Sequence, residues 1–105
     1  MILDNTMKLP EECRNIQEIR ECLDTIDQQI ISTLAQRFSY VQAAAKFKNN
    51  PQDVQAADRV ETMLKQRRIW AEDRGINPDV IEKIYRDLVN YFIDEELQSW
   101  LSKNS

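Results

Sequence analysis

The most constraining feature of this sequence is one long run of helical periodicity in its first half. Apolar residues recur there at spacings of three and four, with the one slot between Leu34 and Val41 taken by Arg37. They are Ile16, Ile19, Leu23, Ile26, Ile30, Leu34, Val41 and Ala44 or Ala45. This spacing is typical of an amphipathic helix with one apolar stripe. Nothing breaks the pattern before Asn49-Asn50-Pro51, a stop and turn signal. The sequence therefore predicts a first helix of about 34 residues, roughly 50 Å long at ~1.5 Å per residue.

The length of this helix bears on how many chains are needed to cover it. A compact chain of 105 residues has a radius of gyration near ~13 Å. Two shorter helices from the same chain would leave part of the stripe in water, at a cost of roughly 25 cal/mol per Å² of apolar surface. We therefore expect two copies to lay their long helices together in an intertwined two-fold homodimer. The alternative is a helix that breaks near Ser32-Thr33 and folds back.

Capping signals mark the limits of the helices. Asn15 followed by Glu18 is a capping box at the start of the first helix. A second helix is expected to end near Gly75, and Asn77-Pro78 provides a cap and a first-turn proline for a third. The predicted fold is all-α, with three helices in the chain and no strand.

The second and third helices carry shorter stripes. After a loop at residues 49–57, the second helix carries Val60, Met63, Leu64, Trp70 and Ala71. The stripe of the third helix consists of Ile81, Ile84, Tyr85, Leu88, Phe92, Glu95 or Glu96, and Ser99. Because Met7 is an alternative start, we expect residues 1–6 to be an N-terminal tail and residues 7–105 to form a single helical domain.

Composition and charge exclude several classes of function. The chain has no histidine, which excludes Ser-His and Cys-His catalysis and the commonest zinc sites, and its one glycine excludes a glycine-rich phosphate loop. Its 14 basic residues are scattered among 18 acidic ones, so no nucleic-acid partner is expected. Neither a membrane span nor a secretory signal is predicted, and Cys13 and Cys22 are expected to be reduced thiols of a cytoplasmic protein.

Two cations interrupt the apolar stripe of the first helix. On a helical wheel with Val41 at zero, Arg37 falls at about −40° and Lys48 at about −20°, while Arg20 lies on the edge at about +60°. Burying a cation without a partner costs several kcal/mol. One interpretation is a set of structural ion pairs with Asp24, Asp27, Glu95 or Glu96. The other is a cavity for a polyanionic ligand, since a guanidinium can pair both oxygens of a carboxylate.

Six stretches of the chain resemble the all-helical chorismate mutase family, and within it the branch of bacterial isochorismate pyruvate lyases. They are MKLPEEC from Met7, IRECLDTID from Ile19, QRFSYVQAAAKFK from Gln36, RVETML from Arg59, RRIWAEDRG from Arg67, and YFIDEE from Tyr91, with the likeness running on to about Trp100. The resemblance implies an intertwined homodimer with two equivalent active sites, each built from both chains. It also implies a small dicarboxylate as the substrate.

The resemblance assigns roles to particular residues. Arg37 of one chain and Arg20 of its partner would clamp the two carboxylates, and Lys48 would hydrogen-bond the enolpyruvyl ether oxygen and a carboxylate. Arg59 would lie on or beside a mobile loop that closes the site. The apolar walls would be Val41, Ala44, Met63 and Ile93.

Two positions depart from the usual family pattern. Chorismate mutases carry a glutamate after the loop arginine to bind the ring hydroxyl, whereas this chain has Val60. A hydroxyl left unpaired in a buried site costs roughly 1–3 kcal/mol, which favours isochorismate, whose hydroxyl lies elsewhere on the ring. Glu96 stands where many members have a glutamine that donates to the ether oxygen. Either burial keeps Glu96 protonated, or it pairs with Lys48 and weakens catalysis, or Glu95 is the inward residue.

The implied reaction is a pericyclic elimination of pyruvate from isochorismate, which leaves salicylate, often for siderophores. The protein would hold the reactive conformer, and Lys48 would stabilise charge on the departing oxygen, so no nucleophile, metal or cofactor is expected. One alternative is chorismate mutase, converting chorismate to prephenate, as a main or side activity. The other is a non-catalytic helical dimerisation module whose cations form structural ion pairs.

Overall fold

The structure, a computed structural model, describes residues 7–47, 49–50 and 57–104. It contains the helices α1 (Ile16–Ala44), α2 (Ala57–Asp73) and α3 (Pro78–Asn104), with short 3-10 turns at Pro10–Glu12 and Ala45–Phe47. No strand occurs in these residues, which confirms the predicted all-α fold of three helices with a long first helix. The expected tail at residues 1–6, Lys48, and residues 51–56 of the expected loop lie outside the described residues.

Asparagine side chains cap the starts of α1 and α3, as the sequence predicts. The N–H of Glu18 donates to Oδ1 of Asn15, and the N–H of Asp79 donates to Oδ1 of Asn77, both at 2.9 Å. Each cap satisfies an N–H that has no partner within its helix. The capping box at α1 is modified, because the carboxylate of Glu18 accepts from the N–H of Arg14 at 2.8 Å.

The end of α2 is a Schellman motif around the single glycine. The N–H of Gly75 donates to the carbonyl of Glu72 at 3.0 Å, and the N–H of Ile76 donates to the carbonyl of Ala71 at 2.9 Å. Gly75 has a φ of 72°, a left-handed conformation in which any Cβ would be strained. The glycine therefore ends α2 and turns the chain toward α3.

Helix α1 is continuous but ends earlier than the sequence predicts. Its α-helical part has 29 residues, or about 44 Å, and the chain tightens into a 3-10 turn from Ala45 to Phe47. Such turns are frequent at helix ends, where the last carbonyls have no partner further along the helix. The helix runs unbroken through Ser32 and Thr33, so the alternative of a helix broken there is wrong.

The chain divides into two compact units, and the division falls within α1, between Tyr40 and Val41. In the first unit, the apolar stripe lies on a helix without a buried residue. Ile16 is 59% exposed, Leu23 52% and Ile30 51%. The periodicity of α1 is therefore as predicted, but the residues that the structure describes do not bury this stripe.

The second unit contains a helical hairpin with a core of its own. Helices α2 and α3 pack against each other, and the 3-10 turn after α1 contacts α3. The buried apolar residues of the hairpin are Met63, Leu64, Ala71, Val89 and Phe92. Leu64 is 1% exposed, and burying a side chain of this kind contributes about 1.5–3 kcal/mol.

Ion pairs join the outer sides of the same two helices. Arg68 contacts Asp79 at 2.8 Å and Glu82 at 3.0 Å, while Arg86 contacts Glu82 at 2.9 Å and Glu61 at 3.2 Å. The hydrogen bonds from Arg86 and Arg68 lower the pKa of Glu82. Because solvent screens partly exposed pairs of this kind, they contribute little to stability.

The prediction of which residues form the buried stripe of α3 is partly wrong. Val89, which the prediction omits, is buried, whereas Ile84 and Ser99 are exposed. The inward face follows Tyr85, Val89, Phe92 and Glu96, at spacings of four, three and four. Ile84 lies about 100° away from Tyr85 around the helix and falls outside that face. Within the described part of the chain, no helix is long and apolar enough to cross a membrane.

Candidate active site

One carboxylate fastens the segment before α1 to the first turns of that helix. Glu18 pairs with Nζ of Lys8 at 3.0 Å and with Nη2 of Arg14 at 3.2 Å, and it accepts the backbone N–H of Arg14 at 2.8 Å. The hydrogen bond from the Arg14 backbone, followed by that from Lys8, lowers the pKa of Glu18 to about 2. Glu18 therefore stays ionised at neutral pH and holds the part of α1 that carries Arg20.

The two arginines predicted to clamp a substrate both lie on α1 but are far apart. Arg20 is exposed, whereas Arg37 is half-buried and its Nη1 atom is shielded from solvent. Their Cα positions are separated by roughly 26 Å along the axis, at ~1.5 Å per residue. A small dicarboxylate cannot span that length, so one chain does not bring its own Arg20 and Arg37 together around such a ligand.

The next predicted residues lie near the end of α1. Val41 and Ala44 are both half-buried, and a spacing of three puts them on one face of the helix. The 3-10 turn that follows them contacts α3. Lys48 follows that turn in sequence but lies outside the described residues, so its position stays a prediction.

The hairpin brings two of the predicted wall residues into one apolar cluster. Met63 is buried together with Leu64 and Val89, and Ile93 packs against them from α3. Val60 joins the same cluster from α2. The position at which chorismate mutases were expected to carry a glutamate is thus an apolar contact in this chain.

Glu96 is the inward carboxylate of the two candidates on α3. Its residue is 8% exposed, whereas Glu95 is exposed. It lies three residues after Ile93, on the same helix face. The open question of register is therefore answered in favour of Glu96, whose Oε1 atom is shielded from solvent.

Arg59 occupies the first turn of α2. It is the third residue of that helix and is exposed. Residues 51–56, which precede this turn, lie outside the described residues, so the predicted loop closure stays a prediction.

Arg67 is a half-buried cation to which the sequence analysis assigned no role. Its guanidinium lies 4.6 Å from the ring centre of Trp70 and 5.7 Å from that of Tyr85, so it is held against two aromatic rings. The sequence could have indicated that Arg67 is half-buried, because Arg67 lies between Leu64 and Ala71 on the apolar stripe of α2. Tyr85 is eleven residues from Glu96, about 16 Å along α3. This contact links the two helices and is distant from the buried carboxylate.

The chemistry that this hairpin can supply follows from its composition. The cluster of Met63, Leu64 and Val89 is apolar. Glu96 is a buried carboxyl group, a kind of side chain that can exchange a proton or take part in hydrogen bonds. Among the described residues, no three side chains of histidine, cysteine, aspartate or glutamate are grouped so that they could hold a metal ion. The described part of the hairpin therefore offers an apolar core and one buried carboxyl group.

Comparison with known proteins gives a consistent result. The family described as "Chorismate mutase type II" matches residues 19–97, a range that contains every predicted site residue. Isochorismate pyruvate lyase of Pseudomonas aeruginosa is 36% identical over 94 residues, which cover 90% of this chain and 93% of the relative. The T-protein of Haemophilus influenzae is 32% identical over 72 residues, which cover 68% of this chain and 19% of that protein.

Proposed function

Because the chain belongs to the chorismate mutase type II family, we propose that it is an isochorismate pyruvate lyase, which eliminates pyruvate from isochorismate and leaves salicylate. The observation that carries the proposal is the 36% identity to a protein of that name across 90% of this chain. The apolar surroundings of Val60 add a physical reason. Chorismate's ring hydroxyl would have no acceptor from this side chain, at a cost of roughly 1–3 kcal/mol if it stayed unpaired.

The proposed reaction is a concerted pericyclic elimination. The carbon–oxygen bond to the enolpyruvyl group breaks while a ring hydrogen moves to the methylene carbon of that group, so pyruvate and the aromatic ring of salicylate form in one step. No covalent intermediate is formed, and the protein contributes chiefly by holding the folded conformer of the substrate.

In this proposal, positively charged side chains bind the substrate. Arg37 of one chain and Arg20 of its partner bind the two carboxylates, since the guanidinium fork matches a carboxylate. Lys48 donates to the ether oxygen and stabilises the charge that develops as the bond breaks. Arg59 covers the substrate from the start of α2.

Glu96 and the apolar residues complete the proposed site. Val41, Ala44, Met63 and Ile93 exclude water from the reacting atoms. A protonated Glu96 donates to the ether oxygen beside Lys48, the role that glutamine has in many family members. An ionised Glu96 cannot donate and repels the dianionic substrate, so we propose that the neutral form is the active one.

A homodimer is part of this proposal. The exposed stripe of α1 needs an apolar partner surface, and a second copy of α1 offers one of the same length. Arg20 and Arg37 of one chain are separated by roughly 26 Å along the helix. In a dimer, Arg20 of the partner chain would bind the substrate together with Arg37 instead. We place the enzyme in the cytoplasm, producing salicylate for pathways such as siderophore biosynthesis.

The test is a direct assay of both possible reactions. Purified protein is given isochorismate, and the fluorescence of salicylate is followed. In parallel, it is given chorismate, and prephenate is measured. We expect a larger kcat/KM for isochorismate. Turnover of chorismate alone would instead make the protein a chorismate mutase, the second candidate that the family match supports.

Absence of both activities would leave the dimerisation module as the better interpretation. A dicarboxylate mimic of the transition state then becomes the deciding probe. We expect it to raise the melting temperature of the protein, because it binds only the folded form. A helical module whose cations form internal ion pairs would show no such shift.

A further inference from the structure

Two cysteines that are nine residues apart in sequence line the same cavity at the start of α1. Cys13 follows the first 3-10 turn and Cys22 lies in the second turn of the helix. Both line a mainly apolar cavity of about 260 Å³, together with Met7, Pro10, Ile19 and Leu23. Both are half-buried and free. The cavity therefore lies between the N-terminal segment and α1, within one unit of the fold.

The two thiols are oriented by neighbouring carbonyls of the same segment. Sγ of Cys13 donates to the carbonyl of Leu9 at 3.7 Å, and Sγ of Cys22 donates to the carbonyl of Lys8 at 4.0 Å. Besides burial, the neighbouring Cys22 also raises the pKa of the Cys13 thiol. A disulfide requires two sulfur atoms that are close together, and these two thiols lie on one cavity and contact the carbonyls of adjacent residues, Leu9 and Lys8.

Ionic contacts hold the same two segments together before any bond forms. Lys8 pairs with Glu18 at 3.0 Å, which joins the residue beside Leu9 to the turn of α1 that precedes Cys22. A covalent link between Cys13 and Cys22 would therefore join parts that the fold already keeps in contact. The loss of chain freedom would fall mainly on the unfolded state.

We propose that Cys13 and Cys22 form a dithiol site that reacts with low-molecular-weight disulfides and closes to an intramolecular disulfide. The thiolate of one cysteine attacks a sulfur of the small disulfide and releases one small thiolate. The second cysteine then attacks the mixed disulfide and releases the other. The protein loses two electrons and two protons, and the small disulfide is reduced to two thiols, so the exchange balances.

The rate of this exchange depends on the thiolate form. Burial, followed by the neighbouring Cys22 and the charge of Glu18, raises the pKa of Cys13, whereas Lys8 opposes the shift. Cys13 is therefore mostly a thiol at neutral pH, and the exchange accelerates as pH rises. Oxidised glutathione at mildly alkaline pH is the suitable probe.

The product is identified by mass and by peptide mapping. The full chain is incubated with oxidised glutathione, excess thiol is blocked, and the mass is measured without reduction. We expect a chain lighter by two hydrogen atoms. Trypsin cleaves after Lys8, Arg14, Arg20 and Arg37, so a cross-linked pair of peptides covering residues 9–14 and 21–37 is expected. Cys13→Ser and Cys22→Ser should each lack this pair of peptides.

A comparison with the unfolded chain separates the fold's contribution from mere closeness in sequence. The equilibrium constant for disulfide formation against glutathione is measured in buffer and in concentrated urea. We expect a value at least roughly tenfold larger in buffer, and a higher melting temperature for the oxidised chain. Equal constants in the two media would overturn the proposal. Stable glutathione adducts on the folded wild-type chain, or cross-links between chains on a non-reducing gel, would overturn it as well.

Discussion

The α2–α3 hairpin and the N-terminal part of α1 differ in how they bury apolar side chains. The hairpin buries Met63, Leu64 and Val89 between its own helices. Helix α1 has a longer stripe with the same kind of periodicity, yet none of its residues is buried. Similar patterns of sequence thus give a covered core in one region and an uncovered face in the other.

This difference in burial suggests that the hairpin packs on its own, whereas the stripe of α1 packs against another surface. The hairpin needs no second chain to pack, and it buries the one carboxyl group, Glu96, that stands out on α3. Helix α1 combines uncovered apolar residues with Arg20 and Arg37, which suits a surface completed by another copy of the chain. The residues proposed to bind the substrate occur in both regions, as apolar residues such as Met63 in the hairpin and as Arg20 and Arg37 on α1.

The largest expected effects are a loss of folding stability for a substitution in the hairpin core and a loss of dimer affinity for a substitution on the stripe of α1. Leu64→Ala should lower the free energy of unfolding by about 2–5 kcal/mol, because it opens a cavity in the hairpin core. Leu23→Ala should instead raise the dissociation constant of the homodimer by roughly tenfold or more, from the loss of ~1.5 kcal/mol or more of burial. Urea unfolding measures the first effect and sedimentation equilibrium the second. A Leu23→Ala variant that associates like the wild type would show that the stripe is not the dimer interface.

The next effect concerns catalysis after the end of α1. Lys48→Ala should lower kcat by roughly 10²–10³-fold, as the loss of one electrostatic contact in a transition state does, while the dimer survives. Lys46→Ala is the matched control, since Lys46 is exposed on the 3-10 turn. Steady-state kinetics on isochorismate give the comparison. Wild-type turnover in Lys48→Ala would remove Lys48 from the mechanism.

A smaller effect should appear in the pH profile. If the neutral form of Glu96 is active, the rate falls as pH rises between pH ~5 and ~8. Glu96→Gln keeps a donor at all pH values and should flatten this profile, whereas Glu95→Gln, on the exposed neighbour, should leave it unchanged. A flat profile in the wild type would contradict the proposed role of Glu96.

The smallest effect belongs to the start of α1. Because the pKa of Glu18 is lowered to about 2, its contribution to stability is present above its ordinary value near 4.5 and is lost as pH falls toward 2. Glu18→Gln should therefore melt slightly below the wild type at pH ~7 and alike at pH ~2. Glu21→Gln, one turn along, is the control. Circular dichroism melts would detect the difference, and an identical gap at both pH values would contradict the assignment.

Local signals in the sequence predicted most of the fold. Asn15, Gly75 and Asn77 mark helix limits because capping depends on a few neighbouring atoms, and the structure confirms each of them. The stripe of α3 was misjudged at Ile84 and Val89, since both are apolar and only packing against α2 decides which one is buried. The sequence left open whether Glu95 or Glu96 faces inward, and the register of the hairpin answers that question.

The candidate site was less predictable than the helices. Arg67 received no role because its partners are aromatic rings, one of them on another helix, and periodicity does not reveal such contacts. The assignment of Arg20, Arg37 and Lys48 came from resemblance to a family, and periodicity alone favoured structural ion pairs. A site shared between two subunits would leave no signature within the sequence of one chain.

Complementation between two inactive variants tests the shared site most directly. Arg20→Ala and Arg37→Ala are purified separately, mixed in equal amounts, unfolded and refolded together, and assayed with isochorismate. If each site takes Arg37 from one chain and Arg20 from its partner, half of the dimers are mixed and each has one intact site, so about a quarter of the wild-type activity returns. Activity no greater than that of the separate variants would contradict the account.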